Sequence, residues 1–138
     1  MDLNERTPDN FDAFHAQIPD AAWMQLREFV SQIDTLEQSG QTFEDTFKDK
    51  RLDLFGKLII SEGHFQMVFD WMRWREGEAM VRDPRPLESA DAKTCIMFLS
   101  AIIRAERFTM GIQHSAMQSG AIQTAARRLY ELHLSKQK

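Results

Sequence analysis

The sequence predicts a mainly α-helical fold: a single compact bundle of about five or six helices, with a short β-hairpin favoured near residues 58–71. Two observations predict this class. Hydrophobic residues make up 43% of the 138 residues, and most recur at helical spacing. Glycines and prolines stand as isolated stops between these segments rather than forming a linker. Because the length suits one ordinary domain, we expect residues 1–138 to form a single domain.

The first two helices are marked by their ends. Thr7 is a capping residue followed by Pro8, which predicts a short helix or arm within residues 1–18. A second helix begins around Asp20, and Ser39-Gly40 supplies its left-handed stop. The residues on one face of this helix are Trp23, Leu26, Val30, Ile33 and Glu37, and Phe29 and Leu36 widen that face.

The middle of the chain begins with a predicted helix, and the residues after it fit either a hairpin or a helix. Residues 42–45 resemble a capping box, and a helical stripe continues past Gly56 through Phe43, Phe47, Leu54 and Leu58. Between residues 58 and 71, two apolar runs flank a glycine-containing turn. Phe65, Met67 and Phe69 alternate with period two, which favours a hairpin. Phe65, Val68 and Met72 also fit one face of a helix, which is the alternative.

The last third gives clearer signals. Two prolines predict an extended loop at residues 82–88. Ser89 is expected to cap a helix with Asp91 in its first turn, and the apolar run from Cys95 to Ile103 predicts a central, enclosed helix. Gly111 and Ser119-Gly120 delimit a short helix. A final helix from Ala121 to about Leu134 buries Ile122, Ala125, Ala126, Leu129 and Leu132, and its exposed end carries Arg127, Arg128, Lys136 and Lys138.

The net charge of −4 conceals a gradient along the chain. Residues 1–49 contain three basic and eleven acidic side chains, whereas residues 90–138 contain seven basic and three acidic ones. We expect the acidic front and the basic rear to attract each other within one fold. The alternative is an acidic surface, including Asp45 and Asp49, that docks on a basic partner.

Several function classes are excluded by what the sequence lacks. No apolar run approaches the roughly 20 residues that span a bilayer, and the N-terminus does not resemble a signal peptide. A single cysteine forms no internal disulfide, which indicates a cytoplasmic setting. The sequence has no phosphate loop, nucleophile elbow or zinc-ligand spacing, so we predict no catalytic residue, no metal site and no cofactor. Cys95, in the most apolar helix, is interpreted as an inert core thiol.

An aromatic-acid cluster and a pair of arginines remain as candidate binding residues. Trp71 and Trp74 lie three apart with Asp70 before them, and they either fill the core or line a groove for a partner or flat ligand. Arg104 and Arg107 leave one helical face and form a fork that suits a carboxylate or phosphate. We favour a structural role, in which Asp70 pairs with one of these arginines as an internal lock.

These same residues carry a resemblance to a known family. The run Phe69-Asp70-Trp71-Met72-x-Trp74, the two-proline loop and Ala101-Ile102-Ile103-Arg104-Ala105-Glu106-Arg107-Phe108, with Gly111 and Ser119-Gly120, are similar to a family of small uncharacterised bacterial helical proteins. The resemblance covers about residues 65–134. It implies that Asp70, Trp71, Trp74, Arg104, Arg107 and Gly120 are shared pattern positions, and it implies no activity.

The sequence favours a non-enzymatic protein-interaction module. One form of this hypothesis is an inhibitor of the phage or mobile-element anti-defence type, whose acidic face occupies a basic partner surface. The alternative is a binding protein for a small anionic or aromatic ligand, with the two tryptophans stacking on a planar group and the two arginines holding its anionic end. We expect a protein partner, or a second copy in a homodimer, rather than nucleic acid or membrane.

Overall fold

The computed structural model describes residues 5–39, 50–61 and 63–136. Within these ranges the protein is helical, with seven α-helices and no strand, which confirms the predicted fold class and gives more helices than expected. The helices are α1 (Phe11–Ala16), α2 (Asp20–Gln38), α3 (Lys50–Ile60), α4 (Arg75–Arg82), α5 (Ala92–Ala105), α6 (Ile112–Gln118) and α7 (Ala121–Lys136). Short 3-10 helices lie at Pro8–Asn10, Trp71–Arg73 and Arg85–Ser89.

The bundle is organised around α5 and α7. These two helices form the most extensive contact, and α7 also packs against α2 and α6. Helix α3 contacts α2, α5 and α6, which closes the other side of the core. The largest fully buried side chains come from nearly every element: Leu26, Ile33, Phe55, Ile59, Phe65, Met67, Leu87, Ile96, Phe98, Leu99, Met117 and Ile122. None of the described helices combines the length and the apolarity needed to cross a bilayer.

Local end signals place the helices as expected at several points. The Thr7 hydroxyl accepts a hydrogen bond from the backbone N–H of Asn10, so it caps the first 3-10 turn. Gly111 and Gly120 have φ of +89° and +88°, and they bracket α6 because only glycine adopts this conformation without strain. The expected capping box at residues 42–45 and the stop at Gly40 lie outside the described residues.

The predicted hairpin at residues 58–71 is wrong, and so is its helical alternative. Residues 58–60 end α3, and residues 63–70 form an irregular segment that starts with a turn at residues 64–65. The alternation is nevertheless real, because Phe65 and Met67 are buried against α5. Ser100 on α5 takes the place of a partner strand: its hydroxyl donates to the Phe65 carbonyl (2.9 Å) and accepts from the Met67 N–H (2.9 Å).

Two predictions for the segment before α5 also need correction. Asp91, rather than Ser89, caps α5: its carboxylate accepts from the Thr94 N–H at 2.8 Å. The loop predicted at residues 82–88 is largely helical, since α4 continues to Arg82 and a 3-10 helix begins at Arg85. Proline is tolerated in the first turn of a helix, which is where Pro86 lies.

Candidate functional site

A groove of about 280 Å³ opens between α4 with its preceding 3-10 helix and the C-terminal end of α5. Aromatic and aliphatic side chains form most of its wall, and a single charged residue, Glu78, contributes to it. The lining residues are Trp71, Met72, Trp74, Gly77, Glu78, Val81, Ala101, Ile102, Ala105, Phe108, Thr109 and Ile112. We call this site the aromatic groove. It contains both tryptophans that the sequence singled out.

One wall of the aromatic groove depends on a close approach between Trp74 and Gly77. A Cβ atom added to Gly77 would lie 2.3 Å from the nearest carbon of the Trp74 ring, so the indole lies directly on the glycine. Phe69 meets the same indole edge to face, with ring centroids 5.7 Å apart. Trp74 is therefore held between a glycine and a second aromatic ring, and it is only half-buried.

The opposite wall is formed by Phe108. Its ring centroid lies 5.8 Å from that of Trp71, although 69% of its surface remains exposed. Met72 and Met110, at 60% and 82% exposed, extend this apolar surface outward. Side chains of this size and exposure, concentrated beside a groove, are typical of a binding surface.

The loop that carries Phe108 is held in place by Glu106. The Glu106 carboxylate accepts hydrogen bonds from the backbone N–H groups of Gly111 (2.6 Å) and Gln113 (3.0 Å). The left-handed conformation of Gly111 turns the chain into α6 at this point. Phe108 is thus presented on a loop with its own hydrogen bonds, which reduces the entropy lost when a partner binds.

The groove continues along α4 into a second cavity of about 470 Å³. Glu78, Val81, Thr109 and Ile112 line both cavities, so the two are contiguous. The second cavity adds Arg82, Met110, Gly111, Ser115, Gln118 and Ser119. The whole site is therefore an elongated channel along α4.

The predicted lock between Asp70 and the paired arginines is wrong. Asp70 pairs with Arg73, three residues away, at 3.3 Å on the exposed surface. Arg104 and Arg107 make no ion pair within the described part of the chain, and neither lines the aromatic groove. Each is next in sequence to a wall residue, Ala105 and Phe108 respectively.

Some acidic residues of the N-terminal third form ion pairs within the fold. Arg127 on α7 donates to Asp34 (3.0 Å from Nε) and to Glu37 (2.9 Å from Nη2), both on α2. Burial alone lowers the pKa of Arg127, but the hydrogen bonds to the two carboxylates outweigh it and raise that pKa above its usual value. For these residues, the expected attraction between the acidic N-terminal part and the basic C-terminal part of the chain is confirmed. Asp45 and Asp49 lie outside the described residues.

The basic end of α7 is less free than the sequence suggested. Arg127 is engaged by α2, and Arg128 donates from Nε to the Ala90 carbonyl at 2.8 Å. Both side chains are half-buried rather than exposed. The expectation of an exposed basic end therefore needs correction at these two positions.

Neither a reactive thiol nor a metal-binding cluster is found among the described residues. Cys95 is fully buried on α5, and burial raises the pKa of its thiol to about 12, so the thiol is protonated at neutral pH. Among the described histidines, cysteine and carboxylates, no three are grouped so as to hold a metal ion.

Sequence reasoning missed three residues that shape the site. Gly77, Phe108 and Met110 received no role, because a glycine inside a helix and an aromatic side chain in a loop carry no periodic signal. The one available indication was Phe108 directly after Arg107, beyond the end of the apolar helix.

Comparison with known proteins identifies a family and no activity. A family model described as a family of unknown function (DUF6508) matches residues 18–134. The match covers most of the chain, so the protein belongs to this family. It confirms the suspected resemblance and extends it from about residue 65 back to the start of α2. No curated protein and no solved structure matches the chain.

Proposed function

We propose that this protein is a non-enzymatic interaction module that binds another protein through the aromatic groove. The observation that carries the proposal is the combination of Trp71, Trp74 and Phe108 around one cavity, with Phe108 69% exposed. Tryptophan and other large aromatic side chains contribute most to protein–protein binding energy, because each combines a large contact area with few rotatable bonds.

The shape of the site favours a peptide segment over a small ligand. The aromatic groove runs on into the second cavity along α4, which gives an elongated channel rather than an enclosed pocket. In the small-ligand alternative, Arg104 and Arg107 hold an anionic group above the tryptophans. Neither arginine is among the groove's wall residues, which favours the protein-interaction proposal.

An inhibitor that acts through an acidic face is a narrower version of the same proposal. The charge available for such a face is reduced, because Asp34 and Glu37 are already paired with Arg127. We therefore place the binding surface at the aromatic groove and not on α2.

The test is affinity capture from lysate of the source organism, with a matched pair of variants. Phe108→Ser removes an exposed ring of the groove, and Met24→Ser removes a similarly exposed apolar side chain (66%) from α2. We expect a partner retained by the wild type and by Met24→Ser but reduced about tenfold or more with Phe108→Ser, as for a loss of about 1.4 kcal/mol or more. Equal retention by all three proteins would refute the proposal.

A thermal-shift screen distinguishes the small-ligand alternative from the protein-interaction proposal. If a planar anionic compound occupies the site, it raises the Tm of the wild type, and Arg107→Ala abolishes the rise. We expect no rise across nucleotides and aromatic carboxylates. A rise that depends on both Trp71 and Arg107 would replace the protein-interaction proposal with the ligand alternative.

A further inference from the structure

We infer that the partner bound along the channel is a second copy of this chain, whose α4 packs antiparallel to the α4 of the first copy. In this homodimer Glu78 of each copy faces Arg82 of the other. The inference rests on the proposed function and names the partner for the same site. It comes from the charges that line the channel, from their spacing on α4 and from the exposed apolar side chains beside them.

The channel is lined by one negative and one positive side chain, and both belong to α4. Glu78 lines both cavities, and Arg82 lines the second one. Both residues are exposed, and neither side chain forms an ion pair or a hydrogen bond with another described residue. The channel is therefore nearly neutral, and both of its charges are available to pair with opposite charges on a partner.

This pair of charges meets the requirement of a two-fold symmetric interface. Such an interface uses the same surface on both copies, so each charged group must find its opposite within that surface. Glu78 and Arg82 are four residues apart, which is about one helical turn or about 6 Å along α4. If the two-fold axis passes between them, antiparallel copies of α4 pair each glutamate with the arginine of the other copy. A parallel arrangement would place like charges opposite each other.

The apolar side chains of the channel also suit a surface that binds its own copy. Six large apolar side chains are exposed among the described residues, and three of them, Met72, Phe108 and Met110, line the channel. They lie on the same face as the recess that Trp71 and Trp74 line. One face thus supplies both exposed apolar side chains and a groove, so two copies can remove each other's apolar surface from water.

The test is the mass of the intact protein in solution, measured by analytical ultracentrifugation over a concentration series. We expect a species of twice the chain mass of 16.1 kDa, which dissociates on dilution. Glu78→Arg and Arg82→Glu should each raise the dissociation constant of the dimer about tenfold or more, because both charge pairs across the axis become like-charge pairs.

Two matched controls make the same charge changes on α4 outside the channel. Glu76→Arg and Arg75→Glu alter exposed residues that line neither cavity, so both should leave the dissociation constant unchanged. If these controls weaken the dimer as much as the channel variants do, the effect comes from net charge and the inference is overturned.

A mixture of the two channel variants isolates the antiparallel contact. Glu78→Arg brings two positive side chains to the axis and Arg82→Glu brings two negative ones, so a heterodimer of the two restores both pairs. We expect a one-to-one mixture, with one variant fluorescently labelled, to dimerise with nearly the wild-type affinity. A single chain that combines Glu78→Arg with Arg82→Glu should dimerise as well. Recovery in the mixture also shows that each variant is folded.

The outcomes distinguish this inference from the proposed function. A protein that stays monomeric overturns the inference, and so does a dimer that survives the channel variants or Phe108→Ser, or that the mixture fails to restore. If the chain is monomeric but the capture experiment retains a different protein that Phe108→Ser loses, the inference fails and the proposed function stands. If neither a dimer nor a captured protein depends on Phe108, both fail.

Discussion

Trp74 lies so close to Gly77 that a single methyl group decides the shape of the groove wall. The added Cβ would lie at 2.3 Å, 2.6 Å and 2.9 Å from three ring carbons, well inside van der Waals contact. The ring cannot simply move away, because Phe69 packs against it edge to face. The glycine is therefore required by contact and not by backbone conformation, since its φ is an ordinary helical one.

We expect Gly77→Ala to destabilise the protein by about 1–3 kcal/mol through overpacking and to reduce partner capture with it. Gly56→Ala is the matched control, because nothing lies within 4 Å of the new methyl group in α3. There, alanine's better helix propensity should raise stability by about 0.5–1 kcal/mol. Urea denaturation of both variants checks the pair. A neutral Gly77→Ala would mean that Trp74 does not lie on this glycine.

Cys95 offers a second prediction at this scale. Because the thiol is buried and its pKa is raised to about 12, we expect no reaction with a thiol reagent in the native protein at neutral pH. In denaturant the same thiol should react completely. Rapid labelling of the native protein would contradict the burial of Cys95. The sequence predicted a core thiol, and Cys95 is buried; the effect of burial on its pKa outweighs the opposing charge of Arg128.

At the scale of elements, α2 and α7 are joined by a polar contact as well as by packing. Arg127 bridges Asp34 and Glu37, and Gln123 donates from Nε2 to Glu37 (3.2 Å) and to the Met117 carbonyl (2.9 Å). The charge gradient of the sequence predicted attraction between the two ends. It did not identify which residues meet, because 93 residues separate Asp34 from Arg127.

We expect Arg127→Met to destabilise the protein by about 1 kcal/mol, a modest cost because the three side chains are more than a third exposed. In a double-mutant cycle with Asp34→Asn, the coupling energy between the two substitutions should account for most of the stability lost in Arg127→Met. Arg85→Met serves as the control, since its exposed pair with Asp83 should leave Tm unchanged. Additive effects of Arg127→Met and Asp34→Asn would contradict the bridge.

A stack of aromatic rings ties three helices together near the chain termini. His133 of α7 stacks on Trp23 of α2 with ring centroids 4.0 Å apart, and His15 of α1 meets the same indole edge to face at 5.6 Å. Phe65 closes the cluster at 5.3 Å from Trp23. No local sequence pattern predicts these contacts, because the rings come from separate helices.

This stack predicts a pH dependence of stability. Burial lowers the pKa of His15 and His133, and the charge of Lys136 lowers both further, while Asp12 and Asp20 oppose the change. The unfolded chain therefore binds protons more readily, so the stability present above about pH 6.5 is lost as the pH falls through the folded pKa values. We expect Tm to decrease as the pH is lowered from about 7.5 to about 5.5. A combined His15→Gln and His133→Gln variant should flatten this decline, and an unchanged slope would exclude these histidines as its source.

At the scale of the whole molecule, the single-domain prediction stays a prediction with a direct test. If residues 1–138 unfold as one unit, far-UV circular dichroism and tryptophan fluorescence should give the same denaturation midpoint. Trp23 reports on the α2 stack and the two other tryptophans on the groove, so separate variants with one tryptophan each extend the comparison. Midpoints that differ between probes would contradict a single cooperative unit.

The sequence predicted the fold better than it predicted the site, for a physical reason. Caps and stops such as Thr7, Gly111 and Gly120 act within one turn of a helix, so the residues beside them reveal them. The groove depends on contacts between distant residues, such as Trp71 with Phe108, which no local pattern encodes. The hairpin error has the same origin: alternating burial around Phe65 comes from packing on Ser100, 35 residues away.

The long separation between Asp34 and Arg127 has a consequence for how the protein is made. At about 5–20 residues per second, the ribosome adds Arg127 about 5–20 s after Asp34, which lies 93 residues earlier. During that interval Leu26 and Ile33, fully buried in the finished fold, lack the helix that covers them. The nascent segment thus lacks its partner helix for seconds, and its apolar side chains favour aggregation during synthesis more than in the finished fold.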